Sequence, residues 1–128
     1  MLRIGFLPSD FHPMVLMLGE AEDLRLFAGT LRRFAREKED TSVDSLGFVA
    51  ARTRLMLTGS PGPRGIQAAE GGLVWRVDDG AALVFADQVD DLAAPSRPAG
   101  SEILTCATAD EIPVKVSRGE YTDDFLTR

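Results

Sequence analysis

The chain has 128 residues, of which 45% are hydrophobic, and its 14 basic and 20 acidic residues give a net charge of −6. This length fits a single domain over residues 1–128, and this apolar content is enough to form a core. The acidic balance argues against a general nucleic-acid binder, which usually has a basic excess. No apolar run approaches the roughly 18 residues that cross a membrane. Residues 1–13 lack a secretory signal pattern, so we expect a cytoplasmic location and no membrane partner.

The residue types that most often carry chemistry are scarce. The single cysteine, Cys106, excludes an internal disulfide and a cysteine-cluster metal site. Together with the single histidine, His12, it would make a nucleophile and base only if the fold brought the two together. The plainer interpretation is a small strand side chain for Cys106 and a turn residue for His12. Adjacent aspartate pairs such as Asp90-Asp91 lack the spaced oxygens of a calcium loop. We therefore predict no catalytic residues, no dedicated metal and no cofactor.

The first third of the chain predicts a strand followed by a helix. Alternating apolar residues favour a short strand in residues 1–7, and a turn with two prolines follows in residues 8–13. Met14–Leu18 is a continuous apolar run of strand length. Glu20–Arg36 has one apolar stripe at helical spacing, with acidic residues at its start and basic residues at its end, as the helix dipole favours.

The middle of the chain predicts short strands separated by turns. Leu46–Val49 and Thr53–Thr58 are strand candidates, and Gly65–Ala69 is a third. Between the last two lies Gly59–Arg64, whose glycines and prolines predict a hairpin loop. This loop does not resemble a phosphate-binding loop, because it lacks the Gly-Lys-Ser/Thr ending and does not open a helix.

A second strand and helix follow. Leu73–Val77 alternates as a strand, and we expect Trp75 to lie in the core, where its size contributes most. Asp78 or Asp79 is placed to cap a helix that runs to Ala93. A shift of 58 positions superposes the apolar stripes of the two helices, laying Phe27 on Phe85, Leu31 on Val89 and Phe34 on Leu92.

The last part predicts a hairpin and a tail. Glu102–Ala107 and Ile112–Ser117 are strands joined by a turn. Pro113 lacks a backbone N–H, which favours an edge position for the second of them. The tail, residues 118–128, contains Tyr121 and other apolar residues, so we expect it to dock on the domain or on a neighbouring chain.

Together these elements predict an α+β fold. The simplest arrangement is a two-layer sandwich, in which both helices pack on one face of a mainly antiparallel sheet. The expected order is β-α-β-β-β-α-β-β, with a pseudo-repeat of the strand–helix unit.

Two surfaces are candidates for contact with a partner. The first is the sheet face turned away from the helices, which we expect to contain a mixed basic and apolar set of residues: Arg54, Met56, Val74, Arg76 and Lys115. The second is an acidic stripe on the later helix: Asp87, Asp90 and Asp91. The stripe is either a docking surface for a basic partner or a solvated helix face that attracts the arginines of the earlier helix.

Four stretches have a marked strand-and-helix rhythm: VLMLGEAEDLRLFAGTLRRFA, TRLMLTG, GGLVWRVDDGAALVFADQVDDLA and EIPVKVSRGEYTDDFL. This rhythm resembles that of small bacterial proteins, some of which are classed as immunity proteins of polymorphic-toxin systems. The 12 Arg against 2 Lys also look like a GC-rich bacterial genome. The resemblance implies a non-enzymatic binder whose target is a toxin or another protein, and it assigns no residue roles.

The sequence thus favours a protein–protein interaction domain whose partner is another protein or a second copy in a homodimer. The alternative is a small-molecule-binding protein or an enzyme. In that case a pocket would lie between the sheet and the helices, or at a dimer interface.

Overall fold

The computed structural model describes residues 1–8 and 12–127. Residues 9–11 of the predicted turn and Arg128 of the predicted tail lie outside this range. Short 3₁₀ helices occur at Val43–Ser45 and Asp123–Thr127. The other elements are, in chain order, β1 (Leu2–Leu7), β2 (Met14–Leu18), α1 (Ala21–Glu37), β3 (Thr41–Ser42), β4 (Val49–Ala51), β5 (Leu55–Gly59), β6 (Gly65–Ala69), β7 (Gly72–Val77), α2 (Asp79–Ala93), β8 (Gly100–Leu104) and β9 (Val114–Arg118).

The predicted α+β sandwich is confirmed, with both helices packed against β-sheet in one core. The strands form two mixed sheets, which we call the first sheet (order β4-β1-β2-β9-β8) and the second sheet (order β3-β5-β7-β6). Four strand pairings are antiparallel and three are parallel. The predicted strand at Leu46–Val49 is wrong for residues 46–48, which form a turn, and β4 begins only at Val49. The two-residue β3 was not predicted, because so short a strand shows no clear alternation.

The pseudo-repeat extends through the topology. Each unit is a hairpin, a helix and two further strands: β1-β2-α1-β3-β5 and β6-β7-α2-β8-β9. The helices begin at Ala21 and Asp79, which are 58 positions apart. Each sheet joins the hairpin of one unit to the last two strands of the other, giving the matching orders β1-β2-β9-β8 and β6-β7-β5-β3.

The strand registers repeat as well. Val15 of β2 lies beside Val114 in parallel β9, and Leu73 of β7 lies beside Leu55 in parallel β5. The shift of 58 that relates the helices also carries Val15 onto Leu73. Each row of side chains across the first sheet therefore has an equivalent row across the second.

The two helices run antiparallel to each other. Lys38, just after α1, forms an ion pair with Asp79 at the start of α2, while Arg25 near the start of α1 reaches the Ala93 carbonyl at the end of α2. Asp78 caps α2 by accepting a hydrogen bond of 2.8 Å from the Ala81 N–H, as the sequence predicted.

The core is built around Trp75, which is 1% exposed, so its predicted place in the core is confirmed. Its ring centroid lies 6.2 Å from that of Phe27 on α1 and 5.8 Å from that of Phe85 on α2. Burial alternates along β7, so Leu73, Trp75 and Val77 face the helices while Val74 and Arg76 point to the other side.

The edge position predicted from Pro113 is wrong. The last strand, β9, lies between β2 and β8 inside the first sheet. It begins at Val114, so Pro113 stands just outside it and removes no hydrogen bond from the ladder. The carbonyl of Pro113 instead accepts a hydrogen bond of 3.0 Å from the N–H of Val15.

Candidate interaction surface

Four of the five predicted interface residues lie together on the outer face of the second sheet. Met56 and Val74 are direct neighbours across β5 and β7, and Thr58 and Arg76 form the next row. Arg54 comes two residues before Met56, so its side chain points to the same side. Met56 is 38% exposed, and Val74 and Arg76 are half-buried.

Lys115 does not belong to this surface, and its predicted place beside the other four is wrong. It lies on β9 of the first sheet, where its Nζ hydrogen-bonds the Tyr121 hydroxyl at 2.5 Å and stands 4.8 Å from the centre of the Tyr121 ring. Side-chain alternation gives the face of a strand on which a residue lies, but it does not give the sheet to which the strand belongs.

The C-terminal segment, residues 119–127, covers the outer face of the first sheet over β1, β2 and β9, whereas Ile103 of the neighbouring β8 is 44% exposed. Leu126 lies against Gly5, Tyr121 lies over Lys115, and the carboxylate of Asp123 lies 2.7 Å from Nε of Arg3. Beneath this segment, Leu16 is 1% exposed and Leu18 is 2% exposed, although both point away from the helices.

Equivalent rows of the two sheets therefore differ in their contact with the C-terminal segment. The central row of the first sheet contains Gly5, Leu16, Lys115 and Ile103, and the C-terminal segment contacts it at Gly5 and Lys115. The equivalent row of the second sheet contains Gln67, Val74, Met56 and Ser42. The difference follows from the chain path: after β9 the chain folds back over its own sheet, whereas after β5 it continues through residues 60–64 into β6.

The arginines of this face lack acidic partners. Within the described residues, no carboxylate forms an ion pair with Arg54 or Arg76; Arg76 Nη1 donates a hydrogen bond of 3.3 Å to the side-chain oxygen of Gln67. Among the described residues, Arg3, Arg32, Arg36 and Arg97 form ion pairs, whereas other arginines, such as Arg33 and Arg64, resemble Arg54 and Arg76 in forming none.

A cleft of about 470 Å³ opens at one end of the face. Arg54, Met56 and Val74 line it together with the turn at residues 69–72 and the 3₁₀ turn after β3. Two carboxylates line the cleft. One of them, Asp44, is held in place, because its Oδ1 accepts hydrogen bonds from the N–H of Leu55 at 2.8 Å and from the Ser42 hydroxyl at 3.1 Å. The other, Glu70, is exposed.

Two of the three residues of the predicted acidic stripe form ion pairs within the domain. Arg32 of α1 bridges Asp87 at 3.0 Å and Asp90 at 2.5 Å, and these hydrogen bonds, first to Asp90 and then to Asp87, raise the pKa of Arg32. Asp91 is exposed. These ion pairs are those expected of a helix face that attracts the arginines of the earlier helix, and Asp87 remains 79% exposed.

The Cys106 thiol is held in its protonated form. Burial and the nearby Glu111 carboxylate raise its pKa to about 11. Glu111 is fixed in place, because it accepts hydrogen bonds from the N–H groups of Cys106 and Thr108, each at 2.9 Å. A nucleophilic cysteine needs the opposite environment, one that favours the thiolate. His12, the predicted turn residue, is exposed.

The described residues contain no group of three or more His, Cys, Asp or Glu side chains placed to hold a metal ion. A second open cleft of about 470 Å³ lies between Lys38, the loop after β5 and the start of α2. Lys38 and Asp79 both line this cleft, and they form an ion pair with each other at 3.1 Å. The space between sheets and helices is filled by core side chains, including Trp75.

Sequence reasoning missed Gln67 and Thr58 on the candidate face. The alternation of β6 could have placed Gln67 there from the register of the β6–β7 hairpin, whereas Thr58 also needed the parallel pairing of β5 with β7. It also missed that Arg118 caps the end of α2; the signal available was that α2 has no basic residue in its last turn and so needed donors from elsewhere.

Comparisons with protein-family models, curated proteins and solved structures found no match to this chain. No helix within residues 1–8 and 12–127 is long and apolar enough to cross a membrane.

Proposed function

We propose that this chain is a non-enzymatic protein-binding domain that contacts its partner through the outer face of the second sheet. The observation that carries the proposal is the different cover of two equivalent rows. Leu16 is 1% exposed under the C-terminal segment, whereas the equivalent Val74 is half-buried and its neighbour Met56 is 38% exposed. A mixed apolar and basic sheet face that residues 1–8 and 12–127 leave open is typical of a contact surface.

The size of the face favours another protein over a second copy. Its four strands contain 18 residues together and would cover roughly 300 Å² at usual strand spacings. A stable interface buries about 800 Å² on each partner. A dimer built on this face alone would therefore be weak, while a partner that reaches past the sheet edges gains the missing area. An immunity role in a bacterial cytoplasm, in which the partner is a toxin, is one version of this proposal.

The test compares three forms of the protein in quantitative affinity capture from an extract of the source organism. They are the wild type, Met56→Glu/Val74→Glu on the face, and Leu83→Glu/Val84→Glu as a matched control on α2, where both leucine and valine are exposed. We expect at least one protein to be retained by the wild type and the control and to fall about tenfold or more on the face variant. Thermal unfolding by circular dichroism checks that all three forms are folded.

Two results would contradict the proposal. One is a set of captured proteins that does not differ between the face variant and the control. The other is loss of every partner from the control alone, which would move the contact to α2. Light scattering on the same three forms detects a homodimer, which the face variant would dissociate.

A further inference from the structure

We propose that the outer face of the second sheet binds a short segment of the partner chain. This segment carries an apolar anchor with one acidic side chain on each side of it. This inference rests on the function proposed above and specifies the chemistry of the partner.

The first sheet shows how a face of this architecture is filled. The segment that covers it, residues 119–127, is short, and it makes both apolar and charged contacts. Leu126 fits against the bare backbone of Gly5, Tyr121 covers Lys115, and Asp123 pairs with Arg3. The cover thus combines apolar anchors with a carboxylate directed at an arginine of the sheet.

The outer face of the second sheet carries groups that a segment of this kind could contact. Its centre is apolar, with Met56 and Val74 side by side. Arg54 lies on one side of this centre and Arg76 on the other, and neither has a carboxylate partner within the described residues. In a chain with net charge −6, two guanidinium groups that have no carboxylate partner among the described residues favour an acidic ligand.

The spacing of these groups sets the pattern of the ligand. Residue 54 precedes Met56 by two positions, and Arg76 is level with Thr58, two positions beyond it. Four strand positions at about 3.3 Å each put the two arginines about 13 Å apart along the strands. An extended segment has the same repeat, and its residues i, i+2 and i+4 point to one side. The matching pattern is acidic–x–apolar–x–acidic.

The cleft at residues 69–72 gives the apolar anchor a place to insert. Two carboxylates line this cleft: Asp44 is half-buried and accepts hydrogen bonds from Leu55 and Ser42 through its Oδ1, and Glu70 is exposed on the rim. Glu70 would repel an acidic ligand, so its replacement by glutamine should strengthen binding.

The probe is a phage-displayed library of random twelve-residue peptides, panned on the full-length wild-type protein. Enriched sequences are synthesised and their affinities measured by fluorescence anisotropy. The test variant is Arg54→Glu/Arg76→Glu. The matched control is Arg33→Glu/Arg36→Glu on the exposed side of α1, which changes the net charge by the same amount.

We expect the enriched peptides to contain the acidic–x–apolar–x–acidic pattern. Their affinity should fall at least tenfold on the test variant, change less than twofold on the control, and rise with Glu70→Gln. Peptides whose acidic residues are replaced by lysine should bind the test variant better than the wild type. Binding should also weaken as salt is raised, because exposed charge pairs are screened.

Failure to enrich any peptide, enrichment of basic or purely apolar peptides, or equal affinities for the test and control variants would overturn this inference. These results are distinguishable from failure of the proposed function. If affinity capture still finds a partner that depends on Met56 and Val74, the face binds a folded surface and only the peptide inference is lost. If neither experiment depends on the face, both proposals are lost.

Discussion

Leu126 lies so close to Gly5 that a β-carbon added to the glycine would stand 3.0 Å from Cδ2 of Leu126 and 3.3 Å from its carbonyl oxygen. Glycine inside a strand weakens it and often marks a place where another part of the chain approaches. Here the close approach is that of the C-terminal segment, so Gly5 is the residue that allows the first sheet to be covered.

We therefore predict that Gly5→Leu displaces residues 119–127 from the sheet. The larger side chain would occupy the position of Leu126 and expose Leu16 and Leu18. Hydrogen exchange should show faster exchange of the amides in 119–127, and size-exclusion chromatography should show self-association through the exposed leucines.

The control for this prediction is Gly29→Leu on α1, where an added β-carbon has no heavy atom of the described structure within 4 Å. It should leave the exchange of residues 119–127 unchanged. Unchanged exchange in Gly5→Leu as well would contradict the role given to Gly5.

A second prediction concerns the end of α2. Arg118 Nη1 donates hydrogen bonds to the carbonyls of Leu92 at 3.0 Å, Ala94 at 3.3 Å and Arg97 at 2.9 Å. Helix ends leave carbonyls without partners, and a cation there also suits the helix dipole. Arg118→Met should lower the free energy of unfolding by about 2–3 kcal/mol, since hydrogen bonds to charged groups contribute about that much.

Urea unfolding measures this loss. Arg33→Met, at an exposed position of α1, is the control and should stay within about 0.5 kcal/mol of the wild type. If the two variants lose equal stability, Arg118 does not stabilise the end of α2.

The sequence predicted those features that depend on local pattern. Both helices lie where the apolar stripes indicated, and Asp78 caps the second of them. The alternation of β7 placed Trp75 in the core and Arg76 on the opposite face. These follow because the side-chain periods of helix and strand are fixed by backbone geometry.

The features that depend on long-range pairing could not be predicted. The parallel pairing of β2 with β9 joins Val15 to Val114, which are far apart in the chain. This pairing divides the strands between two sheets and carries Lys115 away from Arg76. No local pattern encodes which strand becomes the neighbour of another, so a single sheet was the simplest expectation.

A third prediction tests the acidic residues of α2. Arg32 and its partners Asp87 and Asp90 are all more than a third exposed, and exposed ion pairs contribute about 0–1 kcal/mol. A double-mutant cycle of Arg32→Met with Asp87→Asn/Asp90→Asn should give a coupling free energy below about 1 kcal/mol, decreasing with salt. A coupling of several kcal/mol would show that this contact holds the helices together.

A fourth prediction concerns the reactivity of Cys106. Burial, and then the Glu111 carboxylate, raise the pKa of its thiol from 9.0 to about 11. Because alkylating reagents attack the thiolate, the rate of reaction with iodoacetamide should rise around pH 11 in the folded protein and around pH 9 in the urea-unfolded chain. Glu111→Gln should move the folded midpoint to lower pH, since it removes the neighbouring negative charge.

The raised pKa of the Cys106 thiol also makes the free energy of unfolding depend on pH. A thiol whose pKa is raised by folding holds its proton more tightly in the folded state, so its contribution is fully present below pH 9 and is lost between pH 9 and about 11. The difference in unfolding free energy between wild type and Cys106→Ser should therefore change over that interval and be constant below it. Taking this difference cancels the other groups that titrate at high pH. A folded alkylation midpoint near pH 9, or a difference that changes below pH 9, would show that Cys106 is not held in the environment described here.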